Sequence, residues 1–242
     1  MLLFFIFFLF NFTIFNEAFF HSSKRIELKA LRNNIIDQDF ISRVDYESII
    51  PFLSEHVQPS DQILFVGAST DMAIRLNAEG YGAKKTGFMT IVDSDITRLE
   101  RLENLAKDND ICFANINKGI LKFVQADLYN MPQVCQQSTY DAIVDYGGLD
   151  ELITVDNNQA LKAIDHLQDA VRLGNILVCL SELNKEQFCK PFEERFGWVN
   201  ELDGDPGELS AWYRGKSNIA ATTSNFEELG LKMYVYTNTD NC

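Results

Sequence analysis

The sequence is poor in the spacings that many catalytic and binding chemistries demand. Its five cysteines (Cys112, Cys135, Cys179, Cys189 and Cys242) are odd in number, scattered, and never paired as CxxC. Three histidines, His21, His56 and His166, are equally dispersed, so no zinc site assembles by spacing. Such a pattern fits thiols kept reduced, in a cytosol-like or organellar compartment. Positive charge is also scarce: 21 Lys and Arg stand against 35 Asp and Glu, a formal net charge of −14. A general DNA or RNA binder needs the opposite surplus to neutralise phosphates, so no nucleic-acid partner is expected. An acidic surface does still attract a basic protein. No Ser-His-Asp or Cys-His relay is laid out, no Gly-x-x-x-Gly-x-Gly turn is present, and no Tyr-x-x-x-Lys pair falls at a catalytic position.

What is present is a chain of 242 residues with 46% hydrophobic and 23% charged residues, enough for one domain and an appendage and too apolar for wholesale disorder. The appendage is N-terminal. Nine of the 19 phenylalanines lie in the first 20 residues. This apolar run of about fifteen residues is short for a membrane span and suits the core of a signal peptide, although a basic n-region is missing. Residues 21–41 follow as a basic, acid-poor stretch in which Lys24, Arg25, Lys29 and Arg32 face Glu27. An apolar leader, Ala18-Phe19 and a basic stretch resemble the two-part presequence of algae with secondary plastids. A plain signal peptide to the secretory pathway, a membrane anchor, and a start upstream of a cytosolic protein are the alternatives. The folded domain is then expected over 42–242, not embedded in a membrane.

From about residue 42, short apolar runs alternate with amphipathic stretches. Helical spacing covers 46–57, with Pro51 either opening the helix or kinking it, then a stretch through Ala73 to Gly80, and 95–107. A short helix follows the fourth apolar run. Asn157 is placed to cap the next helix, Gly174 to end it, and 186–196 forms the last. The apolar runs are 63–66, 88–92, 121–124, 140–144, 176–180 and 231–237. This alternation predicts an α/β, doubly wound, Rossmann-like sheet of seven mostly parallel strands, covered on both faces, with an antiparallel closing strand.

Ligands in such sheets sit at the carboxyl ends of the strands. There the first run enters Gly67-Ala68-Ser69, a glycine turn leading into a helix, where backbone and unpaired amides can approach a ligand. The second ends in Asp93, placed to accept hydrogen bonds from a ribose diol. The third ends in Asp127-Leu128, a carboxylate and an apolar neighbour suited to adenine, and the fourth in Asp145-Tyr146-Gly147-Gly148. A lone strand-terminal Asp is usually a cap or turn residue. Four strand ends in register are better explained by an adenosine-containing ligand.

On these residues the chain resembles class I S-adenosylmethionine-dependent methyltransferases, from about Tyr46 to Thr237. More narrowly it resembles the methyltransferase-like 13 group, which contains the lysine and N-terminal methyltransferase of translation elongation factor 1-alpha. The likeness is carried by YESIIPFLSEHVQPSDQILFVG, AEGYG, TIVDSD, AVRLGNILVCLS and above all YDAIVDYGGLDELI. The Asn/Asp-Pro-Pro-aromatic element of many nucleic-acid amino-methyltransferases is missing. The resemblance implies S-adenosylmethionine as cofactor. Gly67, Ala68 and Ser69 would pass its methionine part, Asp93 would hold the ribose, and Asp127 and Leu128 the adenine. Asp145 and Tyr146 would lie by the sulfonium and the incoming nucleophile. Ser69 departs from the usual Gly-x-Gly turn, and a side chain there either crowds the cofactor or hydrogen-bonds its carboxylate.

The chemistry implied is in-line transfer of a methyl group to a protein amine or a small amine that arrives neutral, oriented by Asp145, without a histidine base. His56 and His166 read as surface or core residues. Trp198, Trp212 and Tyr213 are candidates for a substrate pocket, though ordinary packing explains them as well. The Gly-, Pro- and acid-rich stretch 201–218 is either a substrate loop or a merely solvated one. Two other readings are a binding protein of the same fold without turnover and, more remotely, an NAD(P)-dependent oxidoreductase.

Overall fold

A computed structural model describes residues 46–131, 138–203 and 231–239. The leader at 1–20, the basic stretch at 21–41, Trp212, Tyr213 and all of 204–230 lie outside the described residues. The chain begins with α1 (Tyr46–His56), β1 (Gln62–Val66), α2 (Met72–Ala78), β2 (Phe88–Asp93), α3 (Ile96–Lys107), α4 (Asp110–Asn117) and β3 (Leu121–Gln125). A 3-10 turn (Leu128–Asn130) leads on, and then come β4 (Tyr140–Tyr146), α5 (Gly148–Val155), α6 (Asn157–Ala170), β5 (Val171–Ser181), α7 (Lys185–Glu193), β6 (Trp198–Asp203) and β7 (Lys232–Asn238).

The strands form one seven-stranded sheet in the order β3-β2-β1-β4-β5-β7-β6. Pairings are parallel from β3 to β5, whereas β7 runs antiparallel to both β5 and β6. The expected doubly wound architecture is therefore present. Its central strands are apolar because both faces are covered. Leu64, Val66, Ile143, Leu177 and Cys179 pack with Ala163, Ile164 and Leu167 of α6 and with Phe188 and Phe192 of α7. Ile63 and Phe65, which alternation turns to the opposite face, are fully buried as well.

Local corrections follow from hydrogen bonds that a linear pattern does not display. Of the two placements expected for Pro51, the structure has the internal one, inside α1, and not the helix start. The cap of α6 is Asp156, whose carboxylate accepts from the Asn158 and Gln159 amides; Asn157 is the first helical residue. That helix ends at Ala170 without a glycine, because Val171 is already extended and pairs with Tyr140. Gly174, expected to end it, lies inside β5 at φ +77°, where the register shifts between Tyr140 and Ala142. The bulge supplies the left-handed position that suits glycine. The last helix stops at Glu193, short of 196. Two elements were not foreseen. Helix α4 is capped by Asn109, and β6 takes up 201–203, the start of the stretch expected as a loop.

Candidate functional site at the strand ends

Between β1 and β4 the strand order reverses, and the carboxyl ends of those neighbours form the switch point at which open α/β sheets bind ligands. The two ends touch. Gly67 has φ +93°, and a β-carbon there would stand 2.9 Å from the Tyr146 carbonyl oxygen. Its N–H donates to the Val92 carbonyl at 2.9 Å, tying the turn to β2 as well. Gly67 is thus required by close packing of three strand ends, which brings the turn's backbone into the crevice. Ala68 is fully buried and Ser69 is 9% exposed. Among the described non-glycine residues only Lys85 and Ser138 have positive φ, so Ser69 occupies backbone that any residue adopts.

Asp93 closes β2 beside that turn. Its Oδ2 accepts from the Ala68 N–H at 2.7 Å. Its Oδ1 accepts from the Asp95 N–H at 2.7 Å and from Arg98 Nη2 at 2.9 Å. The carboxylate is 7% exposed and therefore locks the glycine turn, the strand and the start of α3 together. Arg98 was not singled out in the sequence, although a cation in the first helical turn opposes the macrodipole and implies a nearby acid. Asp127 heads the 3-10 turn, half-buried, and its side chain makes no capping hydrogen bond. Leu128 packs with Val66 and Val92.

At the end of β4, Asp145 is fully buried, and both of its oxygens lie 3.2–3.3 Å from the Leu149 N–H, capping α5. Gly147 turns the chain at φ +74°. At Gly148 a β-carbon would come 2.8 Å from Asp145 Oδ1 and from Val66 Cγ1, so the paired glycines let α5 settle onto the buried carboxyl. Burial pushes the Asp145 carboxyl well up, with the nearby Asp150 adding to it and the Leu149 and Gly148 amides opposing. Tyr146 is 1% exposed. Burial raises its phenol, and the charges of Glu182 and Asp71 raise it further, so it holds its proton.

A second acid, Asp150 in α5, accepts from Ser181 Oγ at 2.6 Å and from the Glu182 N–H at 2.9 Å, fastening the helix to the end of β5. Burial pushes it up to about 6 against those two donors. Asp150 stands within the most specific stretch of the sequence, YDAIVDYGGLDELI, yet nothing in the linear order shows that it meets Ser181.

Gly67, Ala68, Ser69, Asp93, Asp127, Leu128, Asp145 and Tyr146 thus share one end of the sheet, where Asp145 and Tyr146 lie beneath the surface. Trp198 packs edge-on against Phe192 and Tyr236 near the far edge. His56 and His166 are half-buried on α1 and α6. Cys112, Cys179 and Cys189 are buried and form no disulfide. Among the described residues no helix is long and apolar enough to cross a membrane.

No family profile matches the sequence, and no curated protein matches it significantly. Solved structures do resemble it. A chain of the complex between the Haloferax volcanii Trm112 methyltransferase activator and a methyltransferase superposes with a TM-score of 0.54 at 11% identity, over 86% of this chain and 94% of that one. The geranyl diphosphate C-methyltransferase of Streptomyces coelicolor, solved with Mg2+, geranyl diphosphate and S-adenosyl-L-homocysteine, gives 0.51 at 9% identity, over 80% and 76%. The [4+2]-cyclase SpnF gives 0.51 at 13% identity, over 80% of both chains. The chain has the Rossmann-like fold of S-adenosylmethionine-dependent methyltransferases. The names of these neighbours span different reactions, so fold alone does not choose one. None of them singles out the methyltransferase-like 13 group.

Proposed function

We propose that the chain binds S-adenosylmethionine and catalyses methyl transfer to an amine, either on a protein (a lysine or an N-terminus) or on a small molecule. The observation that carries this reading is the convergence of the Gly67 turn, Asp93, Asp127 and Tyr146 at the switch point. The residues fit such a cofactor. The Gly67 and Ala68 amides are already taken by Val92 and Asp93, but Ser69 is unstrained and the Asp127 carboxylate is not consumed by its own turn. When bound, S-adenosylmethionine would supply a methyl group on an electrophilic sulfonium, so the protein's task is alignment and exclusion of water. Asp93 would receive the ribose, with Asp127 and Leu128 at the adenine. Asp145 acts through α5 as a positioning residue, because its carboxyl is sealed from the surface. Tyr146, held protonated beneath the surface, takes no proton from the incoming amine. Glu182, whose charge acts on Tyr146, gives this end of the sheet the sign that draws a cationic substrate, whereas Asp71 is paired with Arg75 at 2.8 Å. The likeness of YDAIVDYGGLDELI to the methyltransferase-like 13 group supports an amine acceptor.

One observation favours a second reading, a binding protein of the same fold without turnover: neither Asp145 nor Tyr146 reaches the surface. Calorimetric titration of the full chain with S-adenosylmethionine, and with NAD(P)H alongside, tests binding. Release of S-adenosylhomocysteine in the presence of amine acceptors then separates enzyme from binder. Preference for NAD(P)H would remove both. We also propose that residues 1–40 address the protein to an organelle or the secretory pathway; a diffuse cytosolic signal from a reporter fused to them refutes this.

A further inference from the structure

The hydrogen bonds around Asp93 limit what its carboxylate has left to offer. A carboxylate provides roughly four acceptor positions, two on each oxygen. On Oδ1 both are taken, by the Asp95 N–H at 2.7 Å and by Arg98 Nη2 at 2.9 Å. On Oδ2 one is taken by the Ala68 N–H at 2.7 Å. The Arg98 pairing is itself hard to release. The side chains of Arg98 and Asp93 are only 17% and 5% exposed, and the Asp95 carboxylate also lies 3.8 Å from Arg98 Nε. Pulling the guanidinium away would leave a largely desolvated carboxylate without its counter-charge.

We propose that Arg98 sets how this site reads a ribose: with one position left, on Oδ2, Asp93 binds a single hydroxyl of the 2′,3′-diol instead of both. The inference rests on the adenosine-cofactor reading above. Arg98 is a positioning residue in it, since it acts on the sugar through Asp93. Because the one guanidinium is already shared by Asp93 and Asp95, the site also disfavours a phosphate on either hydroxyl, which would meet two carboxylates.

The test titrates the full chain with S-adenosylhomocysteine and with its 2′-deoxy and 3′-deoxy analogues. One analogue is expected to bind within about threefold of the parent and the other to be weaker by about tenfold or more, the worth of one hydrogen bond to a charged group. In Arg98→Met the vacated Oδ1 position accepts the second hydroxyl, so the analogue tolerated by the wild type now binds several-fold more weakly than the parent. Arg98→Lys, which retains a donor, restores the wild-type pattern. Equal weakening of both analogues in the wild type, or of neither, overturns the inference, and this comparison stands even if Arg98→Met fails to fold. An unchanged analogue pattern in a folded Arg98→Met overturns the assignment to Arg98. Failure of the parent itself to bind takes down the adenosine reading, and this inference with it.

Discussion

At Gly67 two constraints coincide, a left-handed φ of +93° and a carbonyl 2.9 Å from where a β-carbon would stand. Gly67→Ala should therefore lower stability by about 1–3 kcal/mol and weaken cofactor binding with it, because the turn must separate from β4. Chemical denaturation and calorimetry read the two effects. Asp127 behaves oppositely. Its side chain caps nothing, so Asp127→Ala should leave the free energy of unfolding within about 0.5 kcal/mol of the wild type. Affinity for S-adenosylmethionine should meanwhile fall by about tenfold. Asp93→Ala would be a poorer probe, since it strips the Ala68 and Asp95 amides and Arg98 of their acceptor at once. Asp150 carries a pH signature. Its carboxyl rises from 3.8 to about 6 on folding, so the native state binds the extra proton. Stability should then fall as pH rises between those two values and level off above them. Asp145, also raised, adds a slope of the same sign. Urea midpoints across this range read the slope, and Asp150→Asn should flatten the part belonging to Asp150.

Helix ends carry the corrections that matter at the scale of elements. Asp156→Ala should cost about 1 kcal/mol through loss of the cap on α6, whereas Asn157→Ala should be close to neutral. Thermal unfolding of the two variants distinguishes the observed cap from the one the pattern suggested. The difference arose because two polar residues stand side by side, and only the φ, ψ of −153°, 100° at Asp156 shows which one is outside the helix. Helix α5 is a different case. Its N-terminus rests on a buried carboxyl, Asp145, and its first turn is pinned to β5 through Asp150, so an element called merely short in the sequence is fastened at two places.

Over the whole molecule the two poles of the sheet divide the labour. The carboxyl-end pole holds the candidate site. At the opposite pole Arg172 bonds Asp141, Gln62 Oε1 at 2.9 Å and the Ser138 carbonyl at 3.2 Å, lacing β5 to β4 and β1. Arg172→Met should cost about 1–3 kcal/mol in stability yet leave cofactor affinity unchanged. Denaturation and calorimetry on the same sample check both. Loss of affinity in parallel with stability would show the two poles to be coupled.

The apolar runs at 63–66, 88–92, 140–144 and 176–180 determined the parallel sheet by themselves, because a strand buried on both faces must be apolar along its length; the run at 121–124 is its edge strand, with Lys122 exposed. The position of acids and glycines just past those runs likewise marked the site end, since backbone leaving a strand must turn. Strand β6 was hidden because an edge strand paired on one side needs no continuous apolar run. Helix α4 was hidden because it buries Cys112 and Asn115 while Ile111 and Phe113 stay exposed, so no apolar stripe marks it. Only the tertiary structure decided what the acids do. Asp145 turned inward to cap α5, Asp93 drew Arg98 and two amides, and Asp150 found Ser181, contacts between residues 5 to 31 positions apart for the side-chain partners. Hydrogen bonds of that kind depend on where strand ends meet in space, and linear spacing carries no record of it.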